Sequence, residues 1–236
     1  MYVIRAQCRN QFTAPDIDFI VSVLGTDYGE SQCIIELLSD PESRDAILDH
    51  ERLFQAILES VHCLTVSSRF YFYVLVRHAF KQAGIDDRNT ADYVAELLSV
   101  FSSTHRTRHP LSDQKAPMNY VIDMIEALQD ANQAQRFLLR AHLGNFVLFF
   151  SGLFPEHIRH RRRRRAAPSL DYYESIGEAS FRVAGGHRLA GEYELSSVFT
   201  TLSDRFHVTR LALNDLSERL VSFDSAASHL LLRSMS

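Results

Sequence analysis

The stretch Arg69–Val76, RFYFYVLV, decides between an all-helical and a mixed fold. Its aromatic and β-branched residues favour a strand by propensity alone. The flanks argue otherwise. Apolar residues recur at helical steps from Ser67 to Ala83, and Gly84 supplies a stop, so the pattern runs well beyond the length of an ordinary strand. The stretch reads as a buried helix over 67–83, and the chain as all-α.

Working upstream, Ser39 and Glu42 have capping-box spacing with Pro41 in the first turn. They open a long helix that carries Ile47, Leu48, Phe54, Ile57, Leu58 and Val61. A short helix over 31–38 precedes it, and Thr13 caps a helix that begins at Pro15 and ends before Gly25. Downstream, Asp87 or Asn89 caps a helix bearing Tyr93, Val94, Leu97, Leu98 and Phe101 that ends near Ser103. The polar run from His105 to Pro117 holds two prolines and reads as a loop or hinge. Helices are then predicted over 118–130, 133–151 and, capped by Ser169, 170–184, with a long amphipathic C-terminal helix starting near Glu192. The expected architecture is a single helical domain over 1–236, a bundle of about eight helices, with a possible subdivision near 104–117.

The last helix has the cleanest periodicity. Phe199, Leu202, Phe206, Thr209, Leu213, Leu216, Leu220 and Phe223 step alternately by three and four, and all but Thr209 are apolar. Packing within the chain satisfies such a stripe, and so does self-association through the 199–223 face. Gly177, inside the helix over 170–184, marks a place where another helix can approach closely.

The 236 residues are 46% apolar, enough for a substantial core, and the net charge of −4 gives no general reason to expect a nucleic-acid partner. Three cysteines without CxxC spacing suit reduced thiols, and MYVIRAQCRNQF lacks the apolar stretch of a signal peptide. A mature chain starting at Met1 and a cytoplasmic location follow as expectations. The segment 137–154 is interrupted by Arg140, His142 and Asn145, well short of the roughly 20 apolar residues that cross a bilayer, so no transmembrane segment is expected.

Against this acidic background stands the run His157–Arg165, HIRHRRRRR, with six of the chain's 23 arginines in nine residues. Because it follows Gly152 and Pro155, it is expected as an Arg-rich interhelical loop over 157–168. Arg159, Arg161, Arg162, Arg163, Arg164 and Arg165 are the candidate anion-binding residues. Without interleaved aromatics or a helix-turn-helix, specific nucleic-acid readout is not favoured.

Eleven histidines among 29 carboxylates invite a metal reading, since helical di-metal sites use Glu-x-x-His. Glu59 with His62 and Asp204 with His207 have that spacing, but about one or two such pairs arise by chance in this composition. His50 and Glu51 begin an HExxH motif that fails at Phe54. No nucleotide-binding glycine loop or serine-nucleophile elbow is present. His142 with Asn145, and Tyr71 with His78, are polar groups set in apolar helices that need partners across the bundle or line a ligand pocket.

The sequence assigns no catalytic residue, metal ligand or cofactor. The leading expectation is a non-enzymatic interaction or regulatory module, with the Arg-rich segment and the final helix as contact surfaces for a protein partner. The alternatives are binding of nucleic acid or a phosphate ligand through the arginines, and a ferritin-like metal-dependent oxidoreductase using Glu59, His62, Asp204 and His207.

Overall fold

The computed structural model describes residues 3–59, 65–107, 117–165 and 168–222. It is all-helical there. A 3-10 turn, Cys8–Asn10, is followed by α1 (Ala14–Leu24), α2 (Tyr28–Leu37), α3 (Pro41–Leu48), α4 (Glu51–Glu59), α5 (Ser68–Gln82), α6 (Arg88–Thr107) and α7 (Pro117–Asp130). Then come α8 (Gln133–Leu153), α9 (Pro155–Arg165), α10 (Leu170–Gly185), α11 (Arg188–Glu192), α12 (Ser196–Asp204) and α13 (Phe206–Ser222). Among the described residues no helix is long and apolar enough to cross a membrane.

The decisive stretch is helical. In α5 the residues from Phe70 to Arg77 are all buried, because α4, α6, α13 and the 3-10 turn enclose the helix on every side. Ser67 caps it by accepting the Phe70 N–H at 3.2 Å. Gly84, at φ +74°, ends it with Ile85 N–H donating to the Phe80 carbonyl and Gly84 N–H to that of Lys81. On the other side of the molecule α8 is the hub, packed most extensively on α10 and also against α13, α7, α6 and α9. One continuous apolar cluster runs from Ile4 to Leu216 and includes Leu98 and Val121, on either side of residues 104–117. The centre of the expected hinge, residues 108–116, lies outside the described residues.

Among the described residues there are thirteen α-helices in place of the expected eight or so, because several long patterns are cut by local backbone chemistry. The helix expected from Ser39 onward begins instead at Pro41, with Asp40 as the cap accepting the Ser43 N–H at 2.8 Å. It is interrupted at Asp49 and His50. The long C-terminal helix is cut twice. Glu194 takes a left-handed φ of 58° after α11, with Leu195 N–H donating to the Ala190 carbonyl and Glu194 N–H to that of Gly191. Arg205 then separates α12 from α13, its guanidinium donating to the Gly84 carbonyl at 3.1 Å beyond the end of α5.

The Arg-rich segment is likewise corrected. Residues 157–165, expected as a loop, belong to α9. Pro155 occupies its first turn, where a missing N–H costs nothing, arginine is a good helix former, and buried Ile158 anchors the helix on the core.

The apolar stripe of the final helices is turned inward: Phe199, Leu202, Phe206, Thr209, Leu213 and Leu216 are all buried within the chain, mainly against α5, α8 and α10. Intramolecular packing satisfies this part of the stripe, and the Leu220 side chain and Phe223 lie outside the described residues. Gly177 permits that packing, since a Cβ there would stand 2.3 Å from the Phe206 ring.

Candidate functional site

The charged side chains concentrate where the 3-10 turn, α3, α5 and α6 meet. Arg77, buried on α5, donates to both oxygens of Asp49 at 2.8 and 3.0 Å and to Asp86 at 2.5 Å. Arg88 and Lys81 reach the same Asp49 carboxylate at 3.1 and 3.6 Å. Burial pushes the Asp49 carboxyl up, but its bonds to Arg77 and the nearby Arg88 and Lys81 outweigh this and hold it below the usual carboxylate range.

A second node lies deeper. Arg9 bridges Asp92 at 3.0 Å, Asp45 at 2.7 Å and Asn89 at 2.8 Å, and Arg69 makes a two-bond pair with Glu96 at 2.7 and 2.9 Å. Cys8 donates its backbone N–H to Asp92 at 2.6 Å and its thiol to Glu96 at 3.2 Å. Burial, and then the charges of Asp92 and Glu96, push the Cys8 thiol far above the ordinary cysteine range. A thiolate does not form there, so this cysteine is a structural donor and not a nucleophile.

Beside the first node the surface opens. A cleft of about 310 Å³ is lined by Asp49, Glu51, Phe54, Arg77, His78 and Lys81. A second, of about 210 Å³, shares Phe54, His78 and Gln82 with it and continues along α13 past Val208, Leu211 and Leu216. Together they form one groove, charged at the α3–α4 end and more apolar at the α13 end, where Asp215 and Arg219 also line it. At the junction the Phe54 and His78 rings lie parallel, centroids 3.5 Å apart. His78 Nδ1 is 3.3 Å from Glu51, and its Nε2 is 2.8 Å from the Gln82 amide nitrogen, an arrangement that suits a neutral ring donating to Glu51 and accepting from Gln82.

Burial pushes the His78 pKa below the ordinary histidine value; Glu51 opposes the shift while Arg219 and Lys81 reinforce it. Burial does the same to His142. The unfolded chain therefore binds protons at these sites more readily than the native one, and stability falls as pH drops through about 6.5 toward the lowered native values. Thermal melts of wild type and the His78→Gln, His142→Gln variant between about pH 8 and 5 check this: the loss of Tm below about pH 6.5 is expected to shrink in the variant.

No family model, curated protein or solved structure matches this chain. Its chemistry is read from its own residues.

Of the residues singled out by sequence, His78 lies at the centre of the groove, and Tyr71 is buried elsewhere on α5. Asn145 on α8 accepts from the Tyr93 hydroxyl of α6 at 2.8 Å, and His142 pairs with the Tyr120 hydroxyl of α7 at 2.8 Å, so both serve as contacts between helices. Arg159 is exposed and pairs with Glu156 one turn back. Arg161, Arg162, Arg163, Arg164 and Arg165 continue α9, and their side chains lie outside the described residues.

The proposed metal pairs fall only partly within the described residues. Glu59 ends α4 on the surface and His62 lies outside the described residues. His207 turns to Glu174 of α10, at 3.0 Å, while Asp204 ends α12 exposed. Glu174 also accepts from buried Arg210, whose other arm reaches Asn214 at 2.6 Å, and Asn214 donates to the carbonyls of Ser151 and Gly152. This network locks α8, α10 and α13. Among the described residues no three His, Cys, Asp or Glu side chains gather in a way that would hold a metal ion.

Phe54, Asp49 and Arg77 were not among the sequence candidates. The readable signal was Arg77, a lone charge immediately after YFYVLV in a helix apolar on all sides, since a guanidinium in such a place requires carboxylate partners.

Proposed function

We propose that this chain is a non-enzymatic interaction module that recognises an amphipathic peptide segment in the groove between α4, α5 and α13. The observation that carries the reading is the groove's polarity, with paired charges at one end and the side chains of Val208, Leu211 and Leu216 at the other. Its lining on α13 spans Val208 to Arg219, about 16 Å or three helical turns, a length that suits a short helical or extended segment.

The chemistry favours docking over catalysis. Asp49 and Arg77 neutralise one another, and the Cys8 thiol is held protonated, so neither offers an activated nucleophile or base to a substrate. Leu211 is 42% exposed in the groove wall and supplies apolar contact that nothing among the described residues covers fully.

Selection of a random peptide library on the immobilised full chain tests the reading. The enriched peptides are expected to bind at least about tenfold more weakly to Leu211→Asp, a loss of roughly 1.4 kcal/mol, and unchanged to Arg159→Gln. Enrichment insensitive to Leu211→Asp, or none at all, overturns it.

A further inference from the structure

A chain of side-chain contacts drawn from three helices crosses the groove. Glu51 of α4 lies 3.3 Å from His78 Nδ1, His78 Nε2 lies 2.8 Å from the Gln82 amide nitrogen, and the Gln82 oxygen accepts from the Arg219 guanidinium of α13 at 3.2 Å. His78 and Gln82 stand one turn apart on α5. The stack on Phe54 fixes the plane of the imidazole, so its two nitrogens keep their aim.

This chain has a direction. A neutral ring donates from Nδ1 to Glu51 and accepts at Nε2 from the Gln82 amide, which leaves the amide oxygen for Arg219. Every donor then meets an acceptor. A proton added at Nε2 makes that nitrogen a donor facing the donor of Gln82. The amide satisfies it by turning over to offer its oxygen, and its NH2 group then faces the guanidinium, donor against donor. Arginine has no acceptor and keeps its proton, so Arg219 must leave Gln82. Charge acts in the same sense, because imidazolium and guanidinium repel.

The surroundings put this event on the acid side. Burial, Arg219 and Lys81 hold the proton off the ring, Glu51 draws it on, and the balance lies below the ordinary histidine value of about 6.5. Asp49, His50, Arg77 and Asp215 are the other charged or titratable groups in the groove lining, and Asp49 is already taken up by Arg77, Arg88 and Lys81.

We propose that Glu51, His78, Gln82 and Arg219 form a proton-operated latch across the groove. It is closed while His78 is neutral, with Gln82 holding Arg219 of α13 to α5. It opens when His78 is protonated, with Gln82 turned to the imidazole and Arg219 moved away. Opening adds a positive charge where the two clefts join. For a segment docked as proposed above, acid therefore favours a carboxylate beside His78; that consequence rests on the docking reading, whereas the latch itself does not.

Nitrogen NMR of the isotopically labelled full chain between about pH 7.5 and 5 tests the latch. His78→Gln and Arg219→Lys assign the two side chains by loss of their signals. In wild type the Arg219 Nε resonance is expected to move with the His78 midpoint. Gln82 is exposed, so its replacement leaves the core intact. Gln82→Glu offers acceptors to both neighbours and no donor. It is expected to raise the His78 midpoint by about one pH unit, a tenfold gain in proton affinity, while Arg219 stays in place. Gln82→Leu removes the relay, and Arg219 is expected to show at neutral pH the position that wild type reaches only in acid.

An Arg219 signal that ignores the titration of His78 overturns the proposal. So does an equal response in Gln82→Glu, which would reduce the effect to the field of the added charge. These signals are read without any peptide, so failure of the docking reading leaves them unchanged.

Discussion

Replacing Asp16 with alanine is expected to remove about 3–5 kcal/mol of stability. Asp16 is fully buried, yet its carboxylate is the meeting point of two helix starts. It accepts the Thr13 N–H at 2.7 Å at the head of α1, and the Ser67 N–H at 2.6 Å and hydroxyl at 2.8 Å at the head of α5. Alanine leaves two backbone N–H groups without their acceptor, each costing about 1–3 kcal/mol, and frees Ser67 from its place as cap of α5. Urea denaturation checks the result. Asp16→Asn, which keeps one acceptor oxygen, is expected to lose roughly half as much; equal losses in the two variants would show that the second oxygen is decisive and sink the two-helix account.

Phe199→Ala is expected to cost about 3–5 kcal/mol as well, through a different mechanism. The ring lies at the centre of the contact between α6, α8, α10 and α12, with centroids 5.5 Å from Tyr93, 5.5 Å from Phe181 and 6.3 Å from Phe137. Its ring neighbours come from three other helices, each held by other contacts, so the cavity cannot collapse by moving one of them. Phe199→Leu is expected to recover more than half of the loss. A two-state denaturation midpoint close to wild type for Phe199→Ala would contradict this placement of the core.

What could be read in advance follows a physical division. Helices α1, α5 and α10 were legible because local signals mark their ends: Thr13 with Pro15 and then Gly25, Gly84 after α5, and Ser169 with Gly185. The break after α11 was not. Glu194 adopts there the conformation that Gly84 adopts after α5, and a glutamate carries no such signal because its left-handed backbone is imposed by the packing of Leu195. The gap at Arg205 has the same origin, since its guanidinium bonds to Gly84, 121 residues away.

The Arg-rich segment illustrates the converse. Pro155 was taken as a stop when it is a start, and a proline alone does not distinguish the two. As for the groove, His78 was visible as a polar group in an apolar helix. Phe54 was visible only as part of a helical face, because the parallel stacking of the two rings depends on how α4 lies on α5.

The tie between the 3-10 turn and α6 constrains the order of events during synthesis. Cys8 and Arg9 emerge 84 and 83 residues before Asp92, to which both are bonded, and Cys8 emerges 88 residues before Glu96. Until α6 has been made, these bonds have no acceptor and only Asp45 and α5 are there for the turn to meet, and closing so long a loop carries an entropic cost that the assembled α5–α6 pair offsets. The N-terminal strap is thus translated first and fastened late, and its docking marks the completion of the α5–α6 half of the fold.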